Sequence, residues 1–232
     1  FDSSKTTETT TSLASKINTT LTSYNTTDLA QFDGAFRHSK VTGLIDDTDT
    51  AITSNITTVT LAHNLTPTLN ASTSYTIQLN NRFSNPHTEH NKAAGGILAS
   101  TGFKVSGDAT NVQFFDDDGA GNIRRYILVA GVRQYQDNTA GTITYSTGEI
   151  KINTINITSV EEVDEAASTF IRLTVTPDSL DIVPVRNQIL KIDFVNTSII
   201  GAVDTVTTGD SSTGTSASAA TTTSSTATTS SY

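Results

Sequence analysis

The segment ITYSTGEIKI, residues 143–152, decides the fold class of the chain. Its apolar residues alternate with polar ones on both sides of Thr147-Gly148, and a period of two is typical of strands with one buried face. Thr147 and Gly148 supply the turn chemistry that allows a chain to reverse. The segment therefore predicts two strands joined by a turn.

The same period recurs through most of the chain beyond residue 61. Further strands are predicted over residues 75–79, 126–129, 171–175 and 189–194. Turn-forming residues separate them, at Asp118-Gly119, Gly121-Asn122 and Thr176-Pro177-Asp178. We predict a mainly antiparallel β domain over residues 62–205.

Residues 1–61 follow a helical period instead. Two short amphipathic helices are predicted, the first with Leu13, Ile17, Leu21 and Tyr24 on its apolar face and the second, from about residue 36 to residue 46, with Val41, Leu44 and Ile45. Residues 55–61 are rich in Ile, Val and Thr and predict a strand. The expected fold class is α+β: a small module of two helices and a strand over residues 1–61, followed by the larger β domain.

Residues 206–232 form a Ser/Thr-rich, low-complexity tail. Such a segment cannot bury enough apolar area to offset the entropy of ordering it, so we expect a partner to hold it. The sequence contains no Met. We therefore expect a processed product or an internal piece of a longer protein, with the first module truncated at its N-terminus.

Charge and composition exclude several classes of function. The formal net charge is -9 and the basic residues are scattered, which disfavours binding to a nucleic-acid backbone. No apolar run reaches the roughly 20 residues that cross a bilayer, so no membrane association is predicted. The chain has no Cys, which excludes disulfides, thiolate zinc sites and cysteine nucleophiles.

The motif His87-Thr88-Glu89-His90 is a candidate metal site, because imidazole and carboxylate groups bind divalent metals. Helical metal motifs place two His residues four apart, whereas these are three apart and follow Asn85-Pro86. A solvated loop is the better interpretation.

The motif DDDGAGN, residues 116–122, resembles a calcium loop in its clustered carboxylates and Gly turn. The twelfth position counted from Asp116 is Ile127, where a calcium loop needs a bidentate Glu. We predict a hairpin tip between Phe114-Phe115 and Tyr126-Ile127, and no bound metal.

No convincing catalytic set is present. Glu161-Glu162 and Asp164-Glu165 form a dense acidic patch, which is typical of a solvated face. There is no G-x-S-x-G motif, and Gly95-Gly96 lacks the spacing of a nucleotide-binding loop. The sequence predicts no enzyme, no cofactor and no small-molecule substrate.

Two long ordered motifs carry a family resemblance. Residues 25–40, NTTDLAQFDGAFRHSK, within the region 12–59, resemble the baseplate J-like module of contractile-tail phages. Residues 175–190, VTPDSLDIVPVRNQIL, with GGILASTGF at 95–103 and YSTGEI at 145–150, resemble the C-terminal region of the T4-like baseplate wedge subunit, particularly of cyanophage type. The tail from residue 206 has no counterpart in this family.

The resemblance implies a structural protein of the virion tail baseplate, assembled in the host cytoplasm. Wedge subunits of this type pair with one another, join other wedge proteins into an inner ring around the hub, and relay rearrangement to sheath contraction. Interface candidates are Phe32, Phe36, Arg37, Phe83, Phe103, Arg186, Asn187 and Gln188. The four Phe residues are expected as exposed anchors, with packing inside the chain as the alternative role for each.

A different class remains open, a secreted or cell-surface adhesin-like β domain with a Ser/Thr-rich stalk. It would bind a glycan or peptide and hold calcium at residues 116–118. Several Asn-x-Ser/Thr sequons could indicate a secreted glycoprotein, but a chain so rich in Asn and Thr contains them by chance, and we discount them. A tail-associated hydrolase is a third class, and it would need paired carboxylates in a cleft.

Overall fold

The computed structural model describes residues 1–84, 96–184 and 188–204. Helix α1 spans Thr10–Tyr24, a π-helical turn π1 spans Asn25–Leu29, and α2 spans His38–Asp46. The Thr9 hydroxyl oxygen accepts a hydrogen bond from the Ser12 N–H and so caps α1. Both predicted helices are confirmed, because their apolar faces are the faces that the chain buries.

Within the described residues, nine strands follow the helices. They are β1 Leu61–Leu65, β2 Ser72–Gln78, β3 Ala99–Ser100, β4 Phe103–Val105, β5 Asp108–Asp117, β6 Asn122–Val129, β7 Val132–Thr144, β8 Glu149–Val160 and β9 Ile171–Val175. Every pairing among them is antiparallel. The α+β fold class is therefore confirmed, and so are the strands predicted around residues 75–79, 126–129, 143–152 and 171–175.

The sheet has the strand order β1-β9-β3-β5-β4-β8-β7-β6, and β2 pairs with β8. A further pairing of β5 with β6 closes part of this order into a barrel-like sheet. The closed part is β5-β4-β8-β7-β6, in which every strand pairs on both sides and has no exposed edge, whereas β1 pairs with β9 and β2 with β8 on one side each. The turn between β7 and β8 contains Gly148 at φ +70°, a left-handed conformation that favours glycine.

The interior of the sheet is apolar. Phe103 and Phe115 stack at its centre with ring centroids 4.6 Å apart, and Ile150, Ile157 and Ile171 are fully buried around them. A second, smaller core lies under the helices and contains Leu21, Tyr24, Leu29, Val41 and Ile45. The part of the chain that the structure describes thus has two hydrophobic clusters, one for each unit.

The prediction of a strand over residues 55–61 is wrong. Residues 52–60 have no regular secondary structure, and the first strand begins at Leu61. The polar groups of this segment are bonded to α2: the Asn55 amide donates to the Thr42 carbonyl at 3.0 Å, and the Thr57 carbonyl lies 3.0 Å from His38 Nε2. Contacts with a helix replace the strand partner that the composition suggested.

The prediction of a strand over residues 189–194 is also wrong. Residues 188–204, which we name the C-terminal strap, contain no strand. The strap packs its apolar side chains against the helical core, through Leu190, Ile192, Phe194 and Ile199. A segment predicted to belong to the β domain therefore completes the core of the first unit.

No helix among the described residues is long and apolar enough to cross a membrane. The predicted tail, residues 206–232, lies outside the part of the chain that the structure describes.

We predict that Phe103→Ala lowers the free energy of unfolding by about 3–5 kcal/mol, because it removes a fully buried ring and leaves a cavity. Urea denaturation of the variant and the unmodified chain measures this loss. Phe32→Ala is the matched control, since Phe32 is 81% exposed and its loss should change stability by less than about 0.5 kcal/mol. Equal losses in the two variants would contradict the assignment of Phe103 to the core.

Candidate interaction surface

Phe32 is displayed on a tight turn between π1 and α2. Asp33 has φ 62°, and the Gly34 N–H donates to the Gln31 carbonyl at 3.2 Å. A Cβ atom at Gly34 would lie 2.2 Å from the Leu29 carbonyl oxygen, so only glycine fits there. The exposed ring is therefore held by a backbone with little freedom, which lowers the entropy lost when a partner binds it.

Phe36 is half-buried and not an exposed anchor. Its ring meets Tyr24 edge-on with centroids 6.4 Å apart. Its N–H donates to the Ile182 carbonyl at 2.8 Å, and the Ile182 N–H donates back to the Phe36 carbonyl at 2.9 Å. Phe36 thus links the helical unit to the segment that follows β9.

Arg37 lies beside Phe36 and forms an ion pair with Asp181, with Nη1 3.1 Å from Oδ2. The His38 N–H donates to the other carboxylate oxygen of Asp181 at 2.9 Å. The His38 N–H and the Arg37 guanidinium together hold the pKa of Asp181 below its ordinary value of 3.8. We name this set of contacts the Asp181 latch, because it joins the two units at the start of α2.

Phe83 and Phe103 do not lie on the surface. Their exposed fractions are 2% and 0%, and both belong to the core of the sheet. The Phe83 N–H also donates to the Tyr145 carbonyl at 2.8 Å. The expectation that these two rings are exposed is therefore corrected: the sheet closes around them.

Gln188 is bonded within the chain, since its side-chain amide donates to the Gln78 carbonyl at 3.1 Å. Arg186 and Asn187 lie outside the described residues, as does the motif at residues 87–90. Among the eight interface candidates, the structure therefore brings Phe32, Phe36 and Arg37 together on the helical unit.

The predicted hairpin at residues 116–122 is confirmed, since β5 and β6 pair up to Asp117 and Ile123. Asp116 is buried and accepts two hydrogen bonds from Arg124, each 3.0 Å long. Arg133 and Tyr135 donate to the same carboxylate at 2.8 and 3.0 Å. We name this set of contacts the Asp116 clamp.

Asp117 is fully buried and also bonded within the chain. It accepts hydrogen bonds from the Leu98 N–H at 2.7 Å and the Tyr145 hydroxyl at 2.5 Å. Burial and the neighbouring Asp117 carboxylate raise the pKa of Tyr145, which keeps the hydroxyl protonated as a donor. Gly96 is required beside it, because a Cβ there would lie 1.8 Å from Asp117 Oδ2.

Asp118 completes the turn, where it accepts hydrogen bonds from the N–H groups of Ala120 and Asn122 at 2.7 and 3.0 Å. All three carboxylates thus have protein donors. Within the described residues, no group of three or more His, Asp or Glu side chains is arranged to hold a metal.

The acidic loop, residues 161–167, contains the dense patch of carboxylates. Asp164 pairs with Arg172 at 2.7 Å, and Glu161 lies 3.7 Å from Lys104. Glu162 and Glu165 are exposed, and no ion pair found among the described residues involves either of them. The acidic patch is therefore a charged surface in contact with solvent.

Sequence reasoning missed the Asp116 clamp. Its members are up to 19 residues apart, and they meet only because β5, β6 and β7 pair in one register. The available signal was the concentration of Arg124, Arg125 and Arg133 in an acidic chain, close to Asp116.

For residues 1–64, comparison with known proteins supports a structural role in a phage baseplate. Residues 1–64 match the family model described as baseplate structural protein gp6, C-terminal domain III. The match covers the helical unit and the first residues of β1. A search of curated proteins found no match to the chain.

We predict that Asp181→Asn weakens the Asp181 latch and makes the stability of the latch less dependent on pH. The folded-state pKa of Asp181 is lowered, so its contribution is present at neutral pH and is lost as the pH falls through that value. The protection factor of the His38 amide, which corrects its hydrogen-exchange rate for the intrinsic effect of pH, should fall in acid in the unmodified chain and should be low at all pH values in the variant. Asp47→Asn, at the exposed residue directly after α2, is the control and should leave this amide unchanged.

Proposed function

We propose that the chain is a structural component of a contractile phage tail baseplate. In this role it joins wedge subunits into the inner ring around the hub and relays the rearrangement of the baseplate to sheath contraction. The observation that carries the proposal is the match of residues 1–64 to a baseplate structural domain. Its partners are copies of itself and other baseplate wedge proteins. The chain acts in the virion, and the baseplate is assembled beforehand in the host cytoplasm.

The connections between the two units support a mechanical role. Backbone pairing of Phe36 with Ile182 and the Asp181 latch join the units on one side. The C-terminal strap also joins them, because Gln188 donates to the Gln78 carbonyl of β2 and the apolar side chains that follow pack on the helices. A displacement of the helical unit would therefore be passed to the sheet through several separate contacts.

Phe32 is the anchor we assign to a partner subunit. Aromatic residues dominate the energetics of many interfaces, and this ring stands 81% exposed on a rigid turn inside the matched region. Arg37 forms an ion pair with Asp181 and lies between the same turn and α2. We therefore place an intersubunit contact on this side of the helical unit.

The proposal is tested by locating the chain in virions. Antibodies against the chain should label the baseplate end of purified phage tails, and mass spectrometry of isolated baseplates should detect it. Its absence from purified virions would refute the proposal, whereas labelling along the tail tube or on the capsid would overturn the baseplate assignment.

Phe32→Ala should reduce incorporation of the chain into baseplates while leaving its folding intact, because the ring contacts solvent in the free chain. Complementation of a phage that lacks the chain, followed by counting of complete baseplates in electron micrographs, measures the effect. Phe32→Tyr keeps the ring and should restore assembly, and Ile200→Ala, at another exposed apolar position, should have no effect. Normal assembly with Phe32→Ala would show that Phe32 does not contribute to the interface.

A further inference from the structure

The hairpin formed by β6 and β7 projects from the body of the chain. Its turn is Ala130-Gly131, with φ of 50° and 79°, and Val129 pairs directly with Val132. Residues 128–134, which we name the hairpin tip, are all exposed. Two residues with positive φ match the twist of a tight two-residue hairpin, so the tip has a defined shape.

The hairpin tip is apolar although it is exposed. Leu128, Val129 and Val132 stand in solvent, with Val132 65% exposed. These side chains add nothing to the core of the chain. Exposed aliphatic groups clustered on a projecting element are typical of a surface that a partner covers.

The Asp116 clamp fixes the base of this hairpin. Arg133, beside the tip, donates to the buried Asp116 carboxylate at 2.8 Å, and its guanidinium carbon lies 4.8 Å from the centre of the Tyr126 ring. On the neighbouring strand, Arg124 binds the same carboxylate and stacks over Tyr135 at 4.2 Å. The tip is therefore preorganised, which reduces the entropy lost on docking.

The charge of the hairpin is opposite to that of the chain. Arg133 is the only charged residue between positions 126 and 136, and its side chain is 42% exposed, whereas the net charge of the chain is -9. An aliphatic tip with one cation suits an acidic surface that also offers small apolar groups.

The acidic loop of the chain has these properties. Glu162 and Glu165 are exposed on it, next to exposed Ala166 and Ala167. The loop is held by reciprocal backbone hydrogen bonds between Val163 and Ala166, at 2.9 and 3.1 Å, so it too has a defined shape.

We propose that the hairpin tip of one copy docks on the acidic loop of a second copy. Leu128, Val129 and Val132 would cover the Ala residues, and Arg133 would face Glu162 and Glu165. The two surfaces differ, so the contact is heterologous: each copy offers one tip and one loop, as subunits of a ring or filament do. The inference rests on the proposed function, because that function requires contacts between copies of the chain and the docking described here is one such contact.

The test uses the full chain in sedimentation velocity at increasing concentration. Val132→Glu places a carboxylate opposite the acidic loop and should weaken self-association on the order of tenfold or more. The double variant Glu162→Lys, Glu165→Lys places two positive charges opposite Arg133 of the neighbouring copy. It should weaken self-association by a similar factor. An equimolar mixture of these two variants should form 1:1 complexes, because one intact tip and one intact loop remain.

The matched control is Val195→Glu, the same change at a valine that is 73% exposed in the C-terminal strap, and it should leave association unchanged. Circular dichroism checks that each variant is folded. A chain that stays monomeric at all concentrations, an unaffected Val132→Glu variant, or a mixture that fails to associate overturns the inference. Detection of the chain in baseplates is a separate result, so this inference can fail while the proposed function stands.

Discussion

The helical unit depends on the C-terminal strap. α1 has 15 residues and α2 has nine, and helices this short are marginal in water unless an apolar face is packed. Leu190, Ile192, Phe194 and Ile199 supply that packing from the far end of the described chain, and the Ile192 N–H donates to the Asn25 side chain at 2.8 Å. These four side chains are partly buried, so each contributes less than the roughly 1.5–3 kcal/mol of a fully buried one. The unit matched by the baseplate family model is thus completed by residues far outside the match.

This constraint makes the two units mechanically dependent on each other. The sheet is stabilised by its own core around Phe103 and Phe115, so it supplies a rigid base. The strap and the Asp181 latch then fix the helices to that base, through apolar packing on one side and through charge and backbone pairing on the other. Phe32 lies on the helical unit and the hairpin tip lies on the sheet, so these two exposed apolar features belong to different units. In the proposed role, the chain would bind one neighbour through each unit and pass a displacement between them.

Local periodicity was sufficient to predict the helices, most of the strands and the turns at Gly148 and Gly119, because each depends on residues close in sequence. The errors share one cause, which is contact over long distances. Residues 55–61 and 189–194 have strand-like composition, but Asn55 and Thr57 are bonded to α2 and the second segment packs on the helical core. Phe83 and Phe103 have no local feature that separates a core ring from a surface ring, and only closure of the sheet buries them. Within the candidate surface, Phe32 was predicted correctly as exposed, whereas the Asp116 clamp requires the register of three strands.

The dependence of the helices on the strap is tested most directly by hydrogen exchange in a Phe194→Ala variant. The account predicts that amides of α1 and α2, including those of Leu21 and Val41, lose protection, while amides of β8 and β9 keep theirs, because the core of the sheet does not contain Phe194. Unchanged protection in the helices, or an equal loss in helices and sheet, would contradict it.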